Sequence, residues 1–140
     1  MSDPGDLQPF RPHRIQADGG YVTLRSEKGD VEIVPVDPIN KWIEFQTWTL
    51  EPAISDSGFG FRGNNGKYLG VNNYGHVGAS VDAIRGWERF SFEPAENGYY
   101  FVVYWKDSKH YLFKPPNEVY LEATPHVDKA TPMTIENLPL

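Results

Sequence analysis

Trp105 stands between Tyr104 and Lys106, with Asp107 next in line, and Tyr74 follows Asn72 and Asn73. An aromatic ring beside carboxylate or amide groups suits one kind of recognition. The ring stacks on the apolar face of a sugar, and the polar groups orient its hydroxyls. Trp105, Asp107, Tyr74 and Asn73 are therefore the candidate ligand-binding set. Both clusters fall where turn residues belong, so the rings are expected at a surface. Trp42 reads instead as the rim of a core.

Other chemistry is harder to assemble from these residues. The histidines, His13, His76, His110 and His126, are scattered, and none sits at metal-ligand spacing from another His or a carboxylate. No metal and no cofactor is expected. The chain holds no cysteine and no Gly-x-Ser-x-Gly, so nucleophilic catalysis lacks its usual signatures. Ser80 with Asp82, and Ser55-Asp56-Ser57, are ordinary turn residues. Carboxylate pairs of the glycosidase kind are distant in sequence and leave no spacing to read. Glu51, Glu93 and Glu136 recur with the repeat described below, which gives them a strand-end structural role. The stretch from Gly58 to Gly66 lacks the Gly-Lys-Ser/Thr of a phosphate-binding loop and reads as strand, tight turn, strand. The expectation is a binding module, not an enzyme.

The elements that must position these residues come from a threefold repeat. An aromatic or Met, then Ser/Thr, an apolar residue and Glu appears as Trp48-Thr49-Leu50-Glu51, Phe90-Ser91-Phe92-Glu93 and Met133-Thr134-Ile135-Glu136, at intervals of 42 and 43 residues. Each alternates apolar and polar, the period of a strand with one buried face. Pro52 and Pro94 are expected to end the first two strands, because proline cannot donate to a ladder. A second marker is Tyr21-Val22, Tyr68-Leu69 and Tyr111-Leu112. A third is Gly29-x-Val31-x-Ile33, Gly75-x-Val77-x-Ala79 and Asn117-x-Val119-x-Leu121, where Gly, Gly and Asn predict a left-handed hairpin residue. First strands precede these at Arg14-Ile15-Gln16, Phe59-Gly60-Phe61 and Phe101-Val102-Val103. Three four-stranded units are too few for a propeller, and each alone would expose its apolar face and edges. Closed around a pseudo-threefold axis they give an all-β β-trefoil, six strands in a short barrel with three hairpins capping one end.

Composition agrees. At 140 residues, with 13 Gly, 12 Pro and 39% hydrophobic residues, the chain suits one domain of short strands. Residues 1–12 are expected to form an N-terminal tail, and 13–140 a single domain with repeats near 13–52, 53–94 and 95–140. The net charge of −6 argues against nucleic acid. Arg11 to Arg14 is the densest basic stretch and reads as solvated tail. The start Met1-Ser2-Asp3-Pro4-Gly5-Asp6 is acidic and polar, unlike a signal peptide. No apolar run reaches the roughly 20 residues a membrane span needs. A cytoplasmic protein, or one released without a conventional signal, is expected, with no membrane partner.

The middle repeat, Gly66-Lys67-Tyr68-Leu69-Gly70, then Gly75-His76-Val77-Gly78-Ala79, then Trp87-Glu88-Arg89-Phe90, resembles the unit of the fascin-like trefoils, which include the fascins and hisactophilin. The other repeats keep the skeleton, with Phe45 where Trp87 stands. The resemblance implies a trefoil and its core positions, and function does not travel with core residues. Fascins bundle actin with several trefoils in tandem, where one is expected here, and four histidines are few for a pH-switched membrane binder. The partner is thus expected to be a glycan or a protein ligand. A carbohydrate-binding, lectin-like module leads. A cysteine-free protease inhibitor would use the loop Pro35-Val36-Asp37-Pro38-Ile39-Asn40. A cytoskeletal or other protein-interaction domain follows from family analogy alone.

Overall fold

The computed structural model describes residues 7–35, 43–53 and 58–138. The twelve strands among these residues fall into three sets of four. The first set is β1 (Pro12–Ala17), β2 (Gly20–Leu24), β3 (Val31–Pro35) and β4 (Trp48–Pro52). The second is β5 (Phe59–Arg62), β6 (Tyr68–Val71), β7 (Val77–Val81) and β8 (Ser91–Ala95). The third is β9 (Gly98–Trp105), β10 (Ser108–Phe113), β11 (Glu122–Thr124) and β12 (Met133–Asn137). One-turn 3-10 helices precede the last strand of each set, at Ile43–Gln46, Gly86–Glu88 and Val127–Lys129. No helix among the described residues is long and apolar enough to cross a membrane.

Six strands close a barrel. β1 pairs with β4 and β12, β4 with β5, and β9 with β8 and β12. An isolated bridge between Phe59 of β5 and Phe90, the residue just before β8, completes the ring. Three cross-strand pairs point inward from the three repeats: Ile15 with Ile135, Leu50 with Phe61, and Phe92 with Phe101. All but Phe92 are fully buried, and Phe92 packs half-buried on the same cluster. Phe61 stacks on Phe101 at 5.6 Å, and Phe92 meets Phe101 edge-on at 5.0 Å. Burying such rings supplies the main stabilisation of a chain that has no disulfide.

Each recurrent Glu ties its repeat to the next. Tyr68 Oη donates to Glu51 at 2.7 Å and Tyr111 Oη to Glu93 at 3.2 Å, while Tyr21 bonds Glu136. A cation completes each site: Arg62 on Glu51 at 3.0 Å, Lys109 on Glu93, and Arg14 on Glu136 at 3.1 Å. The tyrosine of one repeat thus holds the carboxylate of the preceding one, three times around the ring.

The remaining strands form the hairpins β2–β3, β6–β7 and β10–β11. Backbone bonds join them in a cap: Ala79 N–H to Gly29 O at 2.8 Å, Val77 N–H to Leu121 O at 3.0 Å with Ala123 N–H to Gly75 O at 2.9 Å, and Ile33 N–H to Val119 O at 2.6 Å. Gly29, Gly75 and Asn117 adopt φ of 107°, 86° and 65°, the left-handed residues that the marker predicts. At Gly29 a side chain would also collide with the Ala79 backbone.

Three expectations need correction. β4 ends at Pro52 as expected, but Pro94 does not stop its strand, because β8 runs past it to Ala95. At those points each strand has one partner, β5 or β9, so a missing outer N–H breaks no ladder bond. Arg11 to Arg14 is not a solvated tail. His13 is fully buried in β1, its Nδ1 bonding Arg11 O at 2.8 Å, and Arg14 lies 4.1 Å over the Tyr21 ring. Ahead of β1, Leu7 packs on the core and Phe10 N–H donates to Leu50 O. Finally, the third repeat's marker does not form a full strand. Val119 is exposed and only Leu121 is buried before β11 begins at Glu122. Pro115 and Pro116 deny that connection two ladder donors.

Candidate binding cleft

A cleft of about 960 Å³ opens at the hairpin cap. One wall is the β2–β3 hairpin from Arg25 to Glu32, and the other is β6–β7 from Val71 to Val81. The turn Arg85-Gly86-Trp87-Glu88 closes one end, and Tyr120 of the third repeat reaches in from another. Volume and lining suit a small organic ligand, with rings to stack on and a few convergent polar groups.

Local bonds shape the walls. Asn72 Oδ1 accepts the N–H groups of Tyr74 at 2.9 Å and His76 at 3.0 Å, an Asx turn that folds the tip of β6–β7. Asn73 is thereby exposed on the cleft, and Tyr74 is 81% exposed. His76 Nδ1 lies 3.5 Å from Glu122 Oε2, and its ring packs 5.7 Å from Tyr120.

Trp105 belongs to a different hairpin. Lys106 and Asp107 both take positive φ, 50° and 64°, in the two-residue turn between β9 and β10. That turn lays Trp105 half-buried against the tip of β6–β7. Its Nε1–H donates to Asn72 O at 3.0 Å, and its ring is 6.0 Å from Trp87. On its other sides are His110 at 5.2 Å and the Lys106 ammonium at 4.6 Å. The structure therefore brings Trp105, Asn73 and Tyr74 to one place through Asn72. Asp107 is exposed at the neighbouring turn and makes no hydrogen bond or ion pair with them. Trp42, Ser55-Asp56-Ser57 and the loop residues 36–40 lie outside the described residues.

Trp87, Glu88, Arg85 and Tyr120 were not singled out as site residues by sequence reasoning. Trp87 and Glu88 were absorbed into the repeat motif, and Tyr120 into a strand that does not form. Glu88 is only 4% exposed, and its Oε1 accepts the Arg85 N–H at 3.0 Å. Burial raises its carboxyl above the ordinary value, partly offset by Arg85. A comparison of repeats would have revealed it, because Gln46 holds the matching place in the first repeat. Among the described residues no group of His, Asp and Glu could hold a metal ion.

The sequence pattern of the FRG1-like domain matches residues 27–132. No curated protein matches the chain by sequence. Among solved structures, SeviL bound to asialo-GM1 saccharide is similar, with TM-score 0.71, 18% identity, and 93% of this chain and 99% of that one covered. The Macrolepiota procera ricin B-like lectin in complex with lactose gives 0.68 and 16%, covering 94% and 99%. A GlcNAcα1-4Gal releasing endo-β-galactosidase from Clostridium perfringens gives 0.73 and 16%, covering 91% of this chain and 32% of that one. The chain thus spans about a third of that galactosidase chain, and only 18% of a mosquitocidal holotoxin it also resembles. At these identities the likeness establishes the fold, a β-trefoil.

Proposed function

The chain belongs to the FRG1-like domain family, and from that premise we propose that it is a non-enzymatic, lectin-like module binding a glycan in the cap cleft. The observation that carries this reading is the cleft itself, where Trp87 and Tyr120 stand among hydrogen-bonding side chains at Asn73, Ser80, Arg85 and Glu88. Sugars present both an apolar face and a ring of hydroxyls, and such a lining answers both. The saccharide-bound SeviL and the lactose-bound fungal lectin support the class, since each shares the fold over nearly all its length.

In this reading Asn73 contacts the ligand directly and Tyr74 flanks the mouth. Trp105 backs Trp87 and steadies the hairpin tip, while Asp107 reaches only the outer part of a longer glycan. A glycan array, followed by titration of tryptophan fluorescence with lactose as first probe, tests it. The expected result is saturable binding that falls about tenfold or more in Trp87→Ala, as for a buried aromatic anchor. Absence of binding to every glycan would retire the proposal.

A further inference from the structure

The three repeats provide an internal comparison around Glu88. In the first repeat the equivalent residue is Gln46, also buried, whose Nε2 donates to Thr23 Oγ1 at 3.2 Å. Thr23 follows Tyr21-Val22, so its counterpart after Tyr68-Leu69 is Gly70. The second repeat has therefore exchanged the polar pair Gln–Thr for Glu–Gly. Gly70 has no side chain to answer Glu88, and a Cβ there would lie 2.7 Å from Glu88 Cγ and 2.9 Å from Oε2. Oε1 is occupied by the Arg85 N–H. Oε2 accepts no hydrogen bond from the described residues, yet no buried side-chain oxygen is both sealed from solvent and unbonded. Its opening is the cleft, which Gly70 and Glu88 both line. A carboxylate oxygen so placed asks for a donor from outside the protein.

We propose that Glu88 is the specificity-determining residue of the cleft, its Oε2 accepting a hydrogen bond from one hydroxyl of a neutral sugar stacked beside Trp87. This rests on the glycan-binding reading and narrows it to uncharged sugars with a free hydroxyl directed at the cleft floor. A carboxylate or sulfate on the ligand at that point would meet a second anion.

Glu88→Gln is the matching variant. The amide oxygen still accepts the Arg85 N–H, the shape is kept, and Gln46 shows that the fold accommodates an amide there. Only the open acceptor becomes a donor. The probes are lactose and its monodeoxy derivatives or, if lactose is not bound, the tightest neutral glycan of the array with its monodeoxy forms. Glu88→Gln is expected to bind the parent sugar about ten to a hundred times more weakly, the range for a hydrogen bond to a charged group. One monodeoxy sugar should lose a similar factor against the native protein and lose nothing further against the variant. That coupling separates a ligand contact from a structural role. Equal binding by the variant, or monodeoxy sugars that all bind within about threefold of the parent, overturns the proposal and leaves glycan binding standing. Binding of acidic glycans alone also overturns it. If the native protein binds no glycan, both readings fall. Should Glu88→Gln not fold, the monodeoxy series on the native protein decides alone.

Discussion

The barrel and the hairpin cap are built from the same three repeats and treat that repetition in opposite ways. In the barrel each two neighbouring repeats share an inward cross-strand pair and a Tyr–Glu–cation link, with only the cation varying between Arg14, Arg62 and Lys109. In the cap the copies part company. Repeat two has Gly70 for Thr23 and Glu88 for Gln46, and repeat three replaces a full strand with a proline-rich connection. Symmetry marks what holds the molecule together, and departure from it marks what lines the cleft.

The largest test of that contrast pairs one substitution from each region. Phe101→Ala removes a ring shared by Phe61, Phe90 and Phe92 and is expected to cost about 3–5 kcal/mol. Tyr74→Ala, at the exposed tip of the cap, should stay within about 0.5 kcal/mol. Urea unfolding midpoints read both, and similar losses would erase the division between the regions.

A smaller effect probes the symmetry itself. Tyr21→Phe, Tyr68→Phe and Tyr111→Phe each delete one hydroxyl from an equivalent link. Each should cost about 0.5–1.5 kcal/mol, with the three values close together. If one variant lost several times more than the others, the three links would not be equivalent.

The smallest effect concerns charge. Burial holds the Glu88 carboxyl above its ordinary 4.5, so the folded protein binds that proton more tightly than the unfolded chain. Stability then declines as pH rises from about 4.5 through the raised value, and the deficit persists at neutral pH. Glu88→Gln is expected to be at least as stable as the native protein at pH 7, with that advantage shrinking on acidification. In the barrel His13 acts oppositely: burial lowers its pKa below 6.5, and its contribution is lost as pH falls from 6.5 through the lowered value. Because both proteins keep His13, the difference between their melting curves isolates Glu88. A variant markedly less stable at pH 7 would contradict this placement of the carboxyl.

Much of the barrel was legible because its cause is periodic. Leu50, Phe92 and Ile135 recur with polar neighbours, and an alternating pattern can bury only one face. The left-handed residues at 29, 75 and 117 were legible because Gly and Asn accept that conformation at low cost. The cleft was harder to read. Trp105 promised a free ring, yet its Nε1–H is bonded to Asn72 of another repeat, a contact no local spacing encodes. Glu88 was hidden inside a motif that reads as core, and its open oxygen depends on Gly70, eighteen positions earlier. His13 was misjudged because charge density suggests solvent, whereas β12 and β4 enclose it from both sides.

Amide chemical-shift mapping of the isotope-labelled protein during addition of lactose, or of the tightest array glycan, tests the assignment of binding to the cap. The account predicts saturating shifts concentrated at 25–32, 71–81, 85–88 and around Tyr120, with the barrel strands β1, β4 and β12 unmoved. Shifts centred on those barrel strands, or none at all with ligand in large excess, would contradict it.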